Sequence, residues 1–169
     1  MATKIALDLH AALSAAKAAG ETIIAEIDPP ETRIACPEQD RQTWPCADIS
    51  GKLSTGERFI VELDDHADPV RSFVKYWPLL YAVEKGTHQC EPIALMEITS
   101  PDSTFGAGFQ YLARFVGERF EEHFPSRFRF EMSALAGKTA AQLRDEVLSF
   151  LKSSRVGSAS SELSTGRTG

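Results

Sequence analysis

The chain has few cysteines, and none has the spacing of a metal or disulfide motif. Cys36, Cys46 and Cys90 are an odd number, and no two of them form a Cys-x-x-Cys pair. Structural zinc sites usually draw on such pairs, and a disulfide framework needs an even number of cysteines in a short secreted chain. The sequence therefore argues against both, and it predicts three reduced thiols buried as small apolar side chains.

Long apolar runs are also missing. No stretch approaches the roughly 18 apolar residues that a membrane helix needs. The opening residues, Met1-Ala2-Thr3-Lys4, do not have the composition of a secretion signal. We therefore expect a cytoplasmic protein that has no membrane partner.

Positive charge is scarce as well. The 18 lysines and arginines face 24 aspartates and glutamates, which gives a net charge of −6 at pH 7. Proteins that coat a nucleic-acid backbone without sequence preference usually present a basic surface. The balance argues against such coating, although nucleic acid stays a candidate partner for a local basic patch. The sequence has no P-loop, no dinucleotide-binding glycine motif and no evident Ser/His/Asp or Cys/His set.

What the sequence does contain is enough apolar material for one core. Of its 169 residues, 43% are apolar and 25% are charged, as in an ordinary globular domain. We therefore predict a single domain over residues 1–153. Residues 154–169 are rich in Ser, Gly and Thr and have almost nothing to bury, so we predict a disordered tail there.

Hydrophobic periodicity predicts an α/β (α+β) domain with a mixed central sheet. Three consecutive strands suggest an antiparallel meander, and a strand–helix–strand link suggests a parallel crossover. This gives an αβββαβ core followed by a C-terminal helix, strand and helix. The predicted elements are a helix over 4–27, strands over 33–36, 44–50 and 58–64, a helix from Pro69, a strand over 92–99, a helix over 105–124, a strand over 127–132, and a helix that begins at the Thr139/Gln142 capping box.

The third predicted strand carries acids where a buried strand usually has none. Strand side chains alternate, so Glu62 and Asp64 face one way while Phe59, Val61 and Leu63 face the other. Two carboxylates on one face are destabilising unless a cation, a donor or water compensates them. An acidic strand end that leads into a helix is therefore a candidate site.

The element order and these acids together resemble the restriction-endonuclease-like superfamily, the PD-(D/E)XK phosphodiesterases. The resemblance covers roughly residues 4–100. It implies that Asp48 on the second strand and Glu62 on the third hold a divalent metal, Mg²⁺ or Mn²⁺, with help from a backbone carbonyl. Two departures stand out: Ala47 replaces the motif proline, and Asp64 occupies the place of the motif lysine.

In some members of that superfamily the motif lysine is found on the following helix instead of the strand. The resemblance therefore implies that Lys75, on the predicted helix after the acidic strand, takes this role, with Arg71 one turn before it. Some members also carry a glutamate on the first helix, a place that Glu21 or Glu26 fills here. The stretch 61–65, followed by a basic helix, is also similar to the nuclease-like part of plasmid replication-relaxation proteins.

The chemistry of such a site explains the choice of residues. Phosphodiester hydrolysis requires charge neutralisation at the phosphoryl oxygens and hydroxide near pH 7, and a carboxylate-held Mg²⁺ supplies both. A nearby lysine orients water or stabilises the developing charge. The predicted metal ligands are Asp48, Glu62 and Asp64, and Lys75 completes the catalytic set. Asp65 is a secondary candidate, together with Glu26 and Arg71.

Two other functions stay open. The first alternative, favoured by the missing motif lysine, is a catalytically inactive module that kept a nuclease fold for binding or regulation. The second alternative is an unrelated α/β interaction protein that dimerises through an exposed helix. In both cases Glu62 and Asp64 form structural ion pairs with Arg58, Arg71 or Lys75. Glu97, a single acid at the end of an apolar strand, is a further site candidate.

Overall fold

A computed structural model describes residues 3–30, 32, 47–64, 91–100 and 106–153. Over these ranges the chain forms three helices and one five-stranded mixed sheet, which confirms the predicted α/β class. The predicted strand 33–36, the helix from Pro69 and the tail lie outside the described residues. The elements, in chain order, are α1 (Lys4–Ala18), β1 (Ile24–Ile27), β2 (Ile49–Leu53), β3 (Arg58–Asp64), β4 (Ile93–Thr99), α2 (Gly106–His123), β5 (Phe128–Ala134) and α3 (Ala140–Lys152).

The strands lie side by side in chain order, from β1 to β5. The first three form an antiparallel meander, but its first strand is Ile24–Ile27, whereas the predicted first strand, 33–36, lies outside the described residues. β3, β4 and β5 run parallel to one another, which confirms the predicted parallel pairing of β3 with β4. The carboxyl ends of these three strands consequently meet at one edge of the sheet, which we call the carboxyl edge.

The predicted helix over 4–27 is wrong in its second half. α1 ends at Ala18, and Gly20 then takes a φ of 103°, the left-handed conformation that commonly terminates helices. Ile24 and Ile27, which follow, are β-branched and belong to a strand that pairs with β2. Their spacing suits a strand as well as a helix, and sheet pairing decides between them.

The second strand lies later in the chain than predicted, at Ile49–Leu53 instead of 44–50. Gly51, which follows the predicted strand 44–50, lies inside β2. A Cβ atom there would stand 2.2 Å from the carbonyl oxygen of Glu26 and 2.5 Å from the Phe59 ring. The glycine therefore marks a close approach within the sheet, a common reason for glycine in a strand.

Helices cover both faces of the sheet. The face that we call the α1/α3 face carries Phe59, Val61 and Leu63 against α1 and α3. The opposite face, the α2 face, carries Ile60 and Leu95 against α2. All seven residues of β4 are buried, as the apolar run predicted. The described helices include none that is long and apolar enough to cross a membrane.

α2 packs on the sheet through small residues. Ala113 is fully buried, and a Cβ atom at Gly117 would stand 2.2 Å from the Phe130 ring. The sequence predicted an apolar stripe that includes Leu112, but this side chain is 43% exposed. The close approach through Ala113 and Gly117 leaves Leu112 on the outer side of the helix.

Polar and apolar residues alternate along β5, which is typical of a half-exposed strand, yet Arg129 is only 6% exposed. The guanidinium donates to both Glu57 carboxylate oxygens at 2.9–3.1 Å and to the Phe150 carbonyl at 2.6 Å. It also lies 4.6 Å from the centre of the Phe150 ring. The end of α3 therefore covers this face of β5, and the arginine is buried with its donors satisfied.

Candidate functional site

The structure brings Asp48 and Glu62 together. Ile49 pairs with Val61, so Asp48 lies one residue beyond that pair, level with Glu62. Asp48 precedes β2 instead of lying inside it as predicted, and its Oδ2 accepts a hydrogen bond from the Leu63 N–H at 2.8 Å. The carboxylate thus ends the β2–β3 ladder in place of a backbone acceptor. A carboxylate has about four acceptor sites, so this bond does not exhaust it.

Glu62 has a second acidic neighbour. It pairs in register with Glu97 across the parallel strands β3 and β4, so both side chains lie on the α2 face. Glu62 is 5% exposed and Glu97 is 0% exposed. Neighbouring strands are about 4.8 Å apart, and like charges placed side by side at that spacing are destabilising. These two glutamates, which we call the acid pair, are therefore a costly arrangement unless their carboxyl groups are protonated, hydrogen-bonded or paired with a cation.

Glu97 was visible in the sequence only as a single acid in an apolar strand. Its position beside Glu62 follows from the β3–β4 register, which sequence reasoning did not supply. The useful signal would have been alignment of the two strands by their apolar residues. That alignment pairs Phe59 with Ala94 and Leu63 with Ile98, and it brings the two glutamates level.

The other predicted members of the site are not described. Asp64 ends β3, but its side chain lies outside the described part of the chain, as do Asp65, Arg71 and Lys75. Within the described residues there is no group of three or more His, Cys, Asp or Glu that could hold a metal ion. Mg²⁺ sites in enzymes often use only one or two protein carboxylates, with water and substrate oxygens completing the shell. The pair Asp48 and Glu62 fits that smaller donor set.

The helix glutamate of the superfamily has no counterpart in the described residues. Glu26 lies on the edge strand β1 and is exposed, so its predicted position on the first helix is wrong. Glu21 follows α1 and ion-pairs with Lys152 at 2.6 Å. The hydrogen bond from Lys152 lowers the pKa of Glu21, which marks a structural pair.

Arg58 was a predicted partner for Glu62 or Asp64, and the structure gives it other acids. Its guanidinium contacts Asp28 and Glu91, each at 3.1 Å, and Lys52 also contacts Glu91, at 2.6 Å. Burial alone would raise the pKa of Glu91, but the hydrogen bond from Lys52 and the charges of both cations outweigh it and hold the pKa below 4.5. This network lies at the opposite end of β3 from Glu62, so it does not neutralise the acid pair.

Comparisons with protein-family models, curated proteins and solved structures find no match to this chain. Its function is therefore inferred from its own residues and their geometry.

Proposed function

We propose that the chain is a divalent-metal-dependent phosphodiesterase of the PD-(D/E)XK type that acts on nucleic acid. The observation that carries the proposal is the placement of Asp48 beside Glu62 at the carboxyl edge of a mixed sheet. The order of helix, three-strand meander and parallel strand resembles the core of that superfamily, and the proposal assigns the roles of its two motif acids to Asp48, just before β2, and Glu62 on β3. Ligand sites of α/β sheets commonly lie outside the carboxyl ends of the strands.

The residues at this edge suit a magnesium or manganese ion. Asp48 is held in place by the Leu63 N–H, so one ligand is oriented before any ion arrives. Glu62 is almost fully buried, and its charge is therefore weakly screened by water. When bound, the ion would neutralise the phosphoryl oxygens and make hydroxide available near neutral pH. In this proposal Lys75 stabilises the charge that develops on the phosphate.

A second candidate is a catalytically inactive module of the same fold that binds nucleic acid or regulates a partner. The observation that favours it is the bond between Asp48 and Leu63, because a residue that only terminates a β-ladder needs no metal. The aspartate at position 64, where the superfamily has lysine, favours it too. The two candidates differ in one measurable property, which is cleavage.

The test is a cleavage assay with plasmid and oligonucleotide substrates in Mg²⁺ and in Mn²⁺. We expect wild type to cleave, and Asp48→Asn and Glu62→Gln to lose both cleavage and metal binding. Lys75→Ala should keep metal binding and cleave about 10²–10³-fold more slowly, as for loss of one charge-stabilising donor. Glu26→Gln is the matched control, because it removes an exposed carboxylate of the same sheet.

Unfolding curves of each variant confirm that a loss of cleavage does not reflect a loss of fold. Absence of cleavage by folded wild type with either metal would rule out the enzyme. Unchanged cleavage in Glu62→Gln would rule out the assigned site.

A further inference from the structure

We propose that the cleft at the carboxyl ends of β4 and β5 is a substrate subsite, in which Arg114 binds a phosphate of a nucleic-acid strand. The choice of nucleic acid as ligand rests on the proposed function, whereas the cleft and its charge are independent features of the fold. This subsite lies next to the acid pair and contributes no metal ligand.

The cleft has a volume of about 250 Å³. Pockets that enclose a drug-sized ligand usually measure roughly 300–1,000 Å³, so this one suits a single small group, such as a phosphate with part of its sugar. Sheet residues form one wall and the first half of α2 forms the other. The lining includes Thr99 from β4, Met132 and Ala134 from β5, and Gln110, Tyr111 and Arg114 from α2.

The α2 wall of the cleft is held in place. The Gln110 side chain donates to the Ser100 carbonyl at 3.2 Å, which ties α2 to the end of β4. Ala113, next to Arg114 in the chain, is fully buried against the sheet. Tyr111 and Arg114 are therefore presented by a helix whose distance from the sheet is fixed by packing.

Arg114 differs from most described arginines in its surroundings. The arginines at positions 58, 119, 129 and 144 each ion-pair with an acid. Arg114 has no carboxylate within ion-pair distance in the part of the chain that the structure describes. The chain has a net charge of −6, so an arginine that lines a cleft and has no described acid near it is a candidate anion-binding residue. The guanidinium fork suits phosphate because it donates two parallel hydrogen bonds.

The cleft and the acid pair lie next to each other on the α2 face, near the carboxyl edge. Thr99 lies two residues beyond Glu97 on the same face of β4, a distance of about 7 Å along the strand. Met132, on the cleft wall, pairs in register with Glu97. A nucleic-acid strand that runs along the carboxyl edge of the sheet would therefore place one phosphate at Arg114 and a neighbouring phosphate near Glu62. Tyr111 is 73% exposed and offers a ring on which a base can stack.

The test measures binding without catalysis. The probe is a fluorescein-labelled single-stranded 12-mer oligodeoxynucleotide, followed by anisotropy in EDTA at several salt concentrations. We expect Arg114→Ala to weaken binding about 10-fold or more, as for loss of a charge-assisted hydrogen-bonding group. The slope of log affinity against log salt should fall by about 0.7, the value for one phosphate contact on a single strand.

Arg144→Ala is the matched control, because this arginine lies on α3 and pairs with Asp145. It should bind the 12-mer as wild type does, and Arg114→Ala should unfold as wild type does because its side chain is exposed. Arg114-dependent binding supports the subsite whether or not the protein cleaves. Equal affinity of Arg114→Ala and wild type, or no binding by wild type, overturns the subsite and leaves the cleavage assay to decide on the enzyme.

Discussion

The two faces of the central sheet are built from alternate residues of the same strands, yet they carry different chemistry. On the α1/α3 face, β3 and β4 present only apolar side chains, among them Phe59, Leu63 and Met96. On the α2 face, Ile60 of β3 is followed by Glu62, and Ile93 and Leu95 of β4 are followed by Glu97 and Thr99, all of them buried. In β3 and β4 the strand period of two separates an apolar packing face from a face that turns polar at the carboxyl edge.

This difference shows where the fold tolerates unfavourable groups. Buried carboxylates cost stability unless they are compensated, so a sheet designed only for stability would not place two of them in register. The apolar α1/α3 face contributes the packing that offsets this cost. We interpret the acidic end of the α2 face as retained for function, and the following predictions test that division.

The largest expected effect comes from a cavity on the α1/α3 face. Phe59→Ala removes a fully buried ring that packs closely over Gly51, and it should lower the free energy of unfolding by about 3–5 kcal/mol. Denaturant unfolding measures the change. A loss below about 1 kcal/mol, the size of an ordinary surface effect, would show that this face is not the main source of stability.

Adjacent residues of β4 should respond with opposite signs. Met96→Gln places an amide on the apolar face and should destabilise by about 2 kcal/mol. Glu97→Gln replaces one of two acids in register by a neutral isostere, so that Glu62 can ionise without a like charge beside it, and it should stabilise by up to about 1 kcal/mol at pH 7. Both are read from denaturant unfolding of otherwise identical chains. If Glu97→Gln destabilises by more than Met96→Gln, the acidic end of the α2 face contributes to stability, which contradicts the division between the two faces.

The smallest expected effect concerns Glu91, whose pKa lies below 4.5 in the folded protein. A carboxylate with a lowered pKa stabilises the fold above its unfolded pKa, and this contribution is lost as the pH falls through the folded value. Glu91→Gln should therefore cost about 0.5 kcal/mol at pH 7, because the pair is partly exposed and screened. The difference from wild type should disappear in acid unfolding well below pH 4.5. A difference that persists there would assign the effect to packing.

The sequence predicted the strongly periodic parts of this fold well. The buried strand at Ile93–Thr99 and the capping box at Thr139 and Gln142 are both present as predicted. The N-terminal region was harder, because the Ile24–Ile27 stretch is equally compatible with helix and strand, and long-range pairing with β2 selects the strand.

The candidate site divides in the same way. Asp48 and Glu62 were predicted as a pair from the resemblance to the PD-(D/E)XK superfamily, and they lie together in the structure. The pairing of Glu62 with Glu97 depends on a register between strands about 30 residues apart in the chain, and that register is a tertiary property. The cleft beside Arg114 depends on how α2 packs, which in turn depends on Gly117 and its contact with Phe130. Neither was accessible to periodicity.

The most direct test of the functional division is calorimetric titration of the wild-type chain with Mn²⁺ at pH 7. We expect a saturable heat at millimolar Mn²⁺, lost in Glu62→Gln and retained in Glu26→Gln. Glu62 is both the motif acid that the resemblance implies and a member of the buried acid pair, whereas Glu26 is an exposed carboxylate of the same sheet. No heat from folded wild type, or the same heat from Glu62→Gln, would contradict a metal site at the acidic end of the α2 face.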